Sequence, residues 1–312
     1  MRASCTPIRR TGPKNEPSPN HESGAHVNQI ETLASGLCFG EGPRWHNGTL
    51  WFSDMHDLAV KTVDMDGKVE RKVEVPGQPS GLGWLPDGTL LVVSMTDRKV
   101  LRLEYDRLVE HADLSGIAAF HCNDMVVDAD GRAYVGNFGF DLHRAERTGD
   151  WSIIASATMA IVERDGRVRS AAADLEFPNG TIITPDGATL IVAESMGRRL
   201  TAFDRASDGS LSNRRVWADL GSRLPDGICM DAEGAVWVSN AGAPECLRVA
   251  EGGQVLEVID TGDPCFACML GGPNGTTLFM LTSAVSDPES CIAQASARIQ
   301  ITTVSSGRAG FP

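Results

Sequence analysis

The chain has 312 residues, 42% of them hydrophobic, which is enough to bury one large core or two ordinary ones. Its 41 acidic residues outnumber 28 basic ones, and the formal charge of −13 repels phosphate backbones and anionic lipid surfaces. Nucleic acid and membranes are therefore excluded as expected partners, and no run of 18 apolar residues offers a membrane span.

The first 25 residues are rich in Pro, Ser, Asn and charge, with almost no large apolar side chains, so they are expected to form a flexible arm. They also lack the apolar stretch of a secretory signal, and a cytoplasmic location is expected. From residue 26 to 312 a single domain is expected, because one pattern recurs six times: a turn on Asn-Gly, Asp-Gly or Glu-Gly followed by a short apolar, β-branched run. The copies are HNGTLWFSD (46–54), PDGTLLVVS (86–94), ADGRAYVGN (129–137), PDGATLIVA (185–193), AEGAVWVSN (232–240) and PNGTTLFML (273–281).

The turn glycines Gly48, Gly88, Gly131, Gly187, Gly234 and Gly275 are spaced by 40, 43, 56, 47 and 41 residues, the spacing of four-stranded propeller blades. Each glycine supplies the positive φ that a two-residue hairpin requires. Further hairpins, such as 60–75, 101–114 and 160–175, supply the outer strands. Weak helical periodicity leaves an all-β fold, a six-bladed β-propeller with four-stranded blades. The segments HVNQIETLA (26–34) and RIQITTVS (298–305) both alternate as strands do and are predicted to close the ring in one shared blade. The longest interval contains 137–163, whose excess is expected to loop over the channel mouth, with Phe138, Phe140 and Trp151 either lining it or pinning the loop. DMDG (64–67) and DADG (128–131) resemble fragments of a calcium loop but lack its full ligand series and read as hairpin turns.

The innermost strands start just upstream of the turns, at GEGPRW (40–45), PSGLGW (79–84), CNDMVV (122–127), PNGTII (178–183), PDGICM (225–230) and PCFACML (264–270). Seven or eight residues before the turn glycines stand Glu41, Ser80, Asn123, Asn179, Asp226 and the Phe266/Ala267 neighbourhood. In a propeller such positions converge on the axis, so Glu41, Asn123, Asn179 and Asp226 are expected to face one another. Two carboxylates meeting there repel unless a cation lies between them, and an all-oxygen donor set favours Ca²⁺, Mg²⁺ or Mn²⁺ over Zn²⁺. The eight cysteines form no dense framework, and the Cys265/Cys268 pair lacks a second pair and lies in a strand-like run, so reduced thiols are the simpler reading.

These segments resemble the senescence-marker-protein, gluconolactonase and regucalcin family over residues 36 to 305, through G-E-G-P-R-W at Glu41, C-N-D at Asn123 and Asp124, P-N-G at Asn179 and P-D-G at Asp226. The resemblance implies a six-bladed propeller that opens lactones with one divalent cation, Ca²⁺ first, with Mg²⁺, Mn²⁺ or Zn²⁺ as alternatives. It implies that Glu41, Asn179 and Asp226 bind the ion, that Asn123 faces ion or substrate, and that Asp226 is the general base. His121, Asp124 and Phe140 join Asn123 as candidate substrate-binding residues. One departure stands out: sugar-type lactonases of this family carry Arg two residues before the Asn, and here the place is His121.

The expected reaction is opening of a lactone or small ester, with the carbonyl polarised by the cation and water deprotonated by Asp226. GQPSG (77–81) has the wrong spacing for a nucleophile elbow, which disfavours covalent serine catalysis. Alternatives on the same residues are hydrolysis of organophosphorus esters, another metal-dependent reaction, or a non-enzymatic calcium-binding or scaffold propeller.

Overall fold

The structure is a computed structural model and describes residues 29–312. The expected arm, residues 1–25, and the first residues of the 26–34 segment lie outside the described residues.

Six sheets follow one another along the chain, and each contains four antiparallel strands of the repeat. The inner strands are Gly40–His46, Pro79–Trp84, Cys122–Val127, Pro178–Ile183, Pro225–Asp231 and Cys265–Gly271. They pack side by side in that order, and the sixth returns to the first, so the sheets stand as blades around one axis. Burial falls from axis to rim. The inner strand of blade 4 is buried throughout, whereas the outermost strand of blade 1, Val69–Glu74, is largely exposed. Blade 6 closes the ring as expected: Glu31–Leu37 pairs with Ala297–Thr303, from Glu31 opposite Ile301 to Leu37 opposite Ala297.

All six turn glycines have positive φ, between 72° and 86°. The two-residue hairpin holds only in blade 1, where Asn47 and Gly48 are both left-handed and His46 faces Thr49. In the other five blades the turn glycine N–H donates to the carbonyl three residues back and that glycine is left-handed, joined in blade 6 by Gly272, giving a type I turn closed by a glycine bulge. Asp128 serves such a turn, since its Oδ1 accepts from the N–H groups of Asp130 and Arg132.

Each inner strand carries a register shift near its start, at residues 41–44, 79–82, 122–125, 178–181, 225–228 and 265–267. A bulge breaks strict alternation and re-aims a side chain, which here brings side chains from successive blades to the axis. The backbones meet closely at these bulges. A Cβ added to Gly42 would lie 2.5 Å from Ser80 O, one on Gly180 2.5 Å from Asp226 O, and one on Gly227 2.7 Å from Ala267 Cα. Serines bridge the freed carbonyls from the preceding blade: Ser53 Oγ donates to Ser80 O, Ser195 Oγ to Pro225 O and Ser239 Oγ to Phe266 O.

The 137–163 interval was expected as loop, and it holds a short helix, α1 (Leu142–Thr148), capped by Asp141 and stopped by Gly149. A second helix, α2 (Pro288–Gln294), begins on Asp287 with proline at its first turn, a start signal present in the sequence. No helix among the described residues is long and apolar enough to cross a membrane.

Gly180→Ala is expected to destabilise the fold by about 2–3 kcal/mol, because its Cβ meets backbone of the next blade. Gly116→Ala, with open space around it, serves as the control and should cost under about 0.5 kcal/mol. Denaturant unfolding of both variants compares them.

Candidate active site

A cavity of about 220 Å³ opens at one end of the axis. Glu41 of blade 1, Asn123 of blade 3, Asn179 of blade 4 and Asp226 of blade 5 all line it. The four far-separated positions thus share one cup, and each is at least nine-tenths buried.

Hydrogen bonds orient the two amides. Asn179 Nδ2 donates to Ser195 Oγ at 3.3 Å, and that hydroxyl donates onward to Pro225 O at 2.7 Å. Its Oδ1 is thereby left as the free acceptor. Asn123 Oδ1 accepts from Ser80 Oγ at 3.5 Å, while Asn123 Nδ2 is buried without a partner. Asp226 Oδ1 is likewise a buried acceptor without a partner.

The electrostatics are dominated by acids. Burial, then the charges of Asp226 and Asp124, push the Glu41 carboxyl well above the usual range. Burial and the charge of Asp124 do the same to Asp226, against the opposing effect of the Asn179 amide and the Gly227 N–H. Asp124 is raised by burial and held back by Arg44, with which it pairs at 2.7 Å. Arg44 is itself fully engaged, donating also to Pro43 O, Leu82 O and Met125 O. Glu41, Asp124 and Asp226 share one guanidinium, that of Arg44, so only full ionisation of all three would carry an excess of two negative charges, the charge of one divalent cation, and the upward shifts express how strongly the buried cup resists that ionisation without a counter-ion.

The residues fit such an ion: two carboxylates, an amide oxygen aimed by its own hydrogen bond, and an acceptor with nothing to accept from. No cluster of three or more His, Cys, Asp or Glu side chains with metal-site geometry occurs among the described residues, and two of the four cup donors are amides.

The other three sequence candidates lie elsewhere. Asp124 does not line the cavity; it stands where the bulges of blades 1, 2, 4 and 5 carry glycine, and its side chain is held by Arg44. His121 sits behind the wall, stacked on Phe120 at 4.1 Å with Nδ1 unpartnered, and burial lowers its pKa. Phe140 packs edge-on to Phe177 at 5.9 Å within the core and pins the lid, whereas Phe138 and Trp151 reach the cavity.

Sequence reasoning missed much of the wall. Phe39, Met55, Met95 and Phe177 line the cavity from strand ends and connections, His56, His143 and Glu146 line it as well, and Phe266 joins them from the sixth axial position. Their apolar character is indistinguishable from core in the sequence. Cys265 and Cys268 belong to a buried cluster with Cys229 and Cys246, whose thiols burial pushes up.

Fold and cup together define a six-bladed β-propeller with an acidic, oxygen-lined axial site. The sequence profile described as the SMP-30/Gluconolactonase/LRE-like region matches residues 39–284, and the chain belongs to that family. Regucalcin of Xenopus laevis is 26% identical over 255 residues, covering 78% of this chain and 83% of the relative. Gluconolactonase of Zymomonas mobilis is 25% identical over 289 residues, covering 81% and 79%. A calcium-binding regucalcin from Agrobacterium tumefaciens shares the fold with a TM-score of 0.73 at 20% identity, over 90% of this chain and 95% of the other.

Ser195→Ala, which releases the Asn179 amide, is expected to weaken divalent-cation binding roughly ten-fold by calorimetry, and also to lower the thermal midpoint by a few degrees, because the buried Pro225 carbonyl loses its donor. Asp226→Asn should melt above the parent in chelator, because a buried like charge is gone. At cation concentrations about 100-fold above Kd the parent should gain roughly 5 °C or more and the variant less.

Proposed function

We propose that the protein is a divalent-metal-dependent hydrolase that opens a lactone, with Ca²⁺ as the first candidate ion. The carrying observation is the convergence of two buried carboxyls, Glu41 and Asp226, with the Asn179 amide in one cup, where Asp226 Oδ1 has no partner among the described residues. Membership of a family that includes gluconolactonase supports the reaction class, and the description of a regucalcin as calcium-binding supports the ion.

In this reading Glu41, the Asn179 Oδ1 and Asp226 would hold the cation, which when bound would supply Lewis acidity to an ester carbonyl. Asp226 accepts the proton of the attacking water, since its Oδ1 is buried, oriented and otherwise unpaired. Asn123 Nδ2, also unpartnered, donates to the carbonyl oxygen as negative charge develops there. The water oxygen bonds to the carbonyl carbon, the ring C–O bond breaks, and the proton held by Asp226 passes to the departing ring oxygen. The apolar wall above the cup limits the water that reaches these groups. We also place the protein in the cytoplasm, consistent with seven unpaired cysteines among the described residues.

Lactone opening is expected to disappear with chelator and to return with one divalent ion. Asp226→Asn should lose about 10²–10⁴-fold in kcat. Parent-like turnover in that variant removes Asp226 from the role of base.

A further inference from the structure

Two pairs of aromatic rings line the cavity together with the polar cup. Phe39 and Phe266 form an edge-to-face pair at 4.7 Å where blades 6 and 1 meet. Phe138 and Phe177 stack at 4.6 Å and 19° where blades 3 and 4 meet. These two junctions are three blades apart in a ring of six, so the pairs stand on opposite walls. Met95 and Met196 add apolar lining beside them, and none of the six side chains carries a nitrogen or oxygen.

The walls are pre-formed. Asp54 Oδ1 accepts from Phe39 N at 2.8 Å, and Phe39 O accepts from Met55 N. Phe138 N donates to His121 O at 2.9 Å, and Phe177 O accepts from Ser195 N. His121, which could have offered a polar group, is stacked on Phe120 behind this wall. The remaining polar lining outside the cup comes from His56, buried with its ring 5.5 Å from that of Phe39, and from His143, Glu146, Ser195 and Ser286.

A ligand whose carbonyl reaches the cup must therefore lay its body between the phenyl faces. A sugar lactone would bring several hydroxyls against carbon there, and each one left unpaired costs roughly ten-fold in affinity. A flat, apolar ring fills the same slot with its faces against the aromatic pairs. Resting on the hydrolase reading above, we propose that the substrate is a lactone fused to or substituted with an aromatic or other apolar ring, and not a polyhydroxylated one.

The test uses the full chain with Ca²⁺, comparing dihydrocoumarin with glucono-1,5-lactone by a pH-indicator assay. The expected kcat/KM ratio is at least 100-fold in favour of dihydrocoumarin. Met196→Ser and Phe266→Ser, each checked for an unchanged melting profile, should raise KM for dihydrocoumarin about ten-fold with little effect on kcat. Binding is measured in parallel with two unreactive lactams of the same shapes, 3,4-dihydro-2-quinolinone and gluconolactam, by calorimetry with and without Ca²⁺. Tighter binding of the aromatic lactam, weakened in both variants, supports the ligand class even if no lactone turns over, in which case the hydrolase reading alone fails. Equal or better turnover or binding of the sugar compound overturns the proposal.

Discussion

Everything in this molecule depends on the close approach of six inner strands at their bulges. Backbone meets backbone there with no room for a side chain: a Cβ on Gly81 would lie 2.3 Å from Met125 N, and one on Gly180 2.6 Å from Ile228 N. Interiors packed this tightly do not deform continuously, so the residue before each glycine is held in one direction. The cup is a consequence of that contact. Its members come from four blades and share no local segment.

Two blades depart from the glycine rule, blade 6 with Ala267 and blade 3 with a charged side chain, and blade 3 shows what the rule protects. In blade 3 the bulge carries Asp124, and the extra carboxylate is accommodated because Arg44 of blade 1 reaches under the cup to meet it. The guanidinium offsets one of three buried acids and donates as well to the Leu82 and Met125 carbonyls. Ring geometry and charge are thus joined in a single pair that spans two blades. The other two acids, Glu41 and Asp226, lie at the cavity floor, where Asn179 and Asn123 offer neutral oxygen and N–H groups beside them.

The wall above the floor has a different origin. The floor residues stand on strands, whereas Phe39, Phe138 and Phe177 stand on the connections that enter and leave strands, tied down by backbone hydrogen bonds to Met55, His121 and Ser195. Connections on a rigid ring vary without disturbing the ring. In the proposed hydrolase the cup would accordingly carry the reaction class, and the wall the selectivity.

The sequence by itself determined the blade count, the closing blade and the identity of the floor residues. Turn glycines at positive φ leave a periodic mark, and a repeat of about 45 residues makes equivalent positions readable without coordinates. Tertiary structure alone decided which polar residues near that floor face the cavity. Asn123 and Asp124 are neighbours in the chain, yet a bulge sends one to the cup and the other to Arg44. His121 and Phe140 read as wall residues and lie behind it, while Phe39, Met95 and Phe177 carry no mark in the sequence that separates them from core and form it. An apolar side chain has the same chemistry in either place, and only the closure of the ring separates an inside that is packed from an inside that is open.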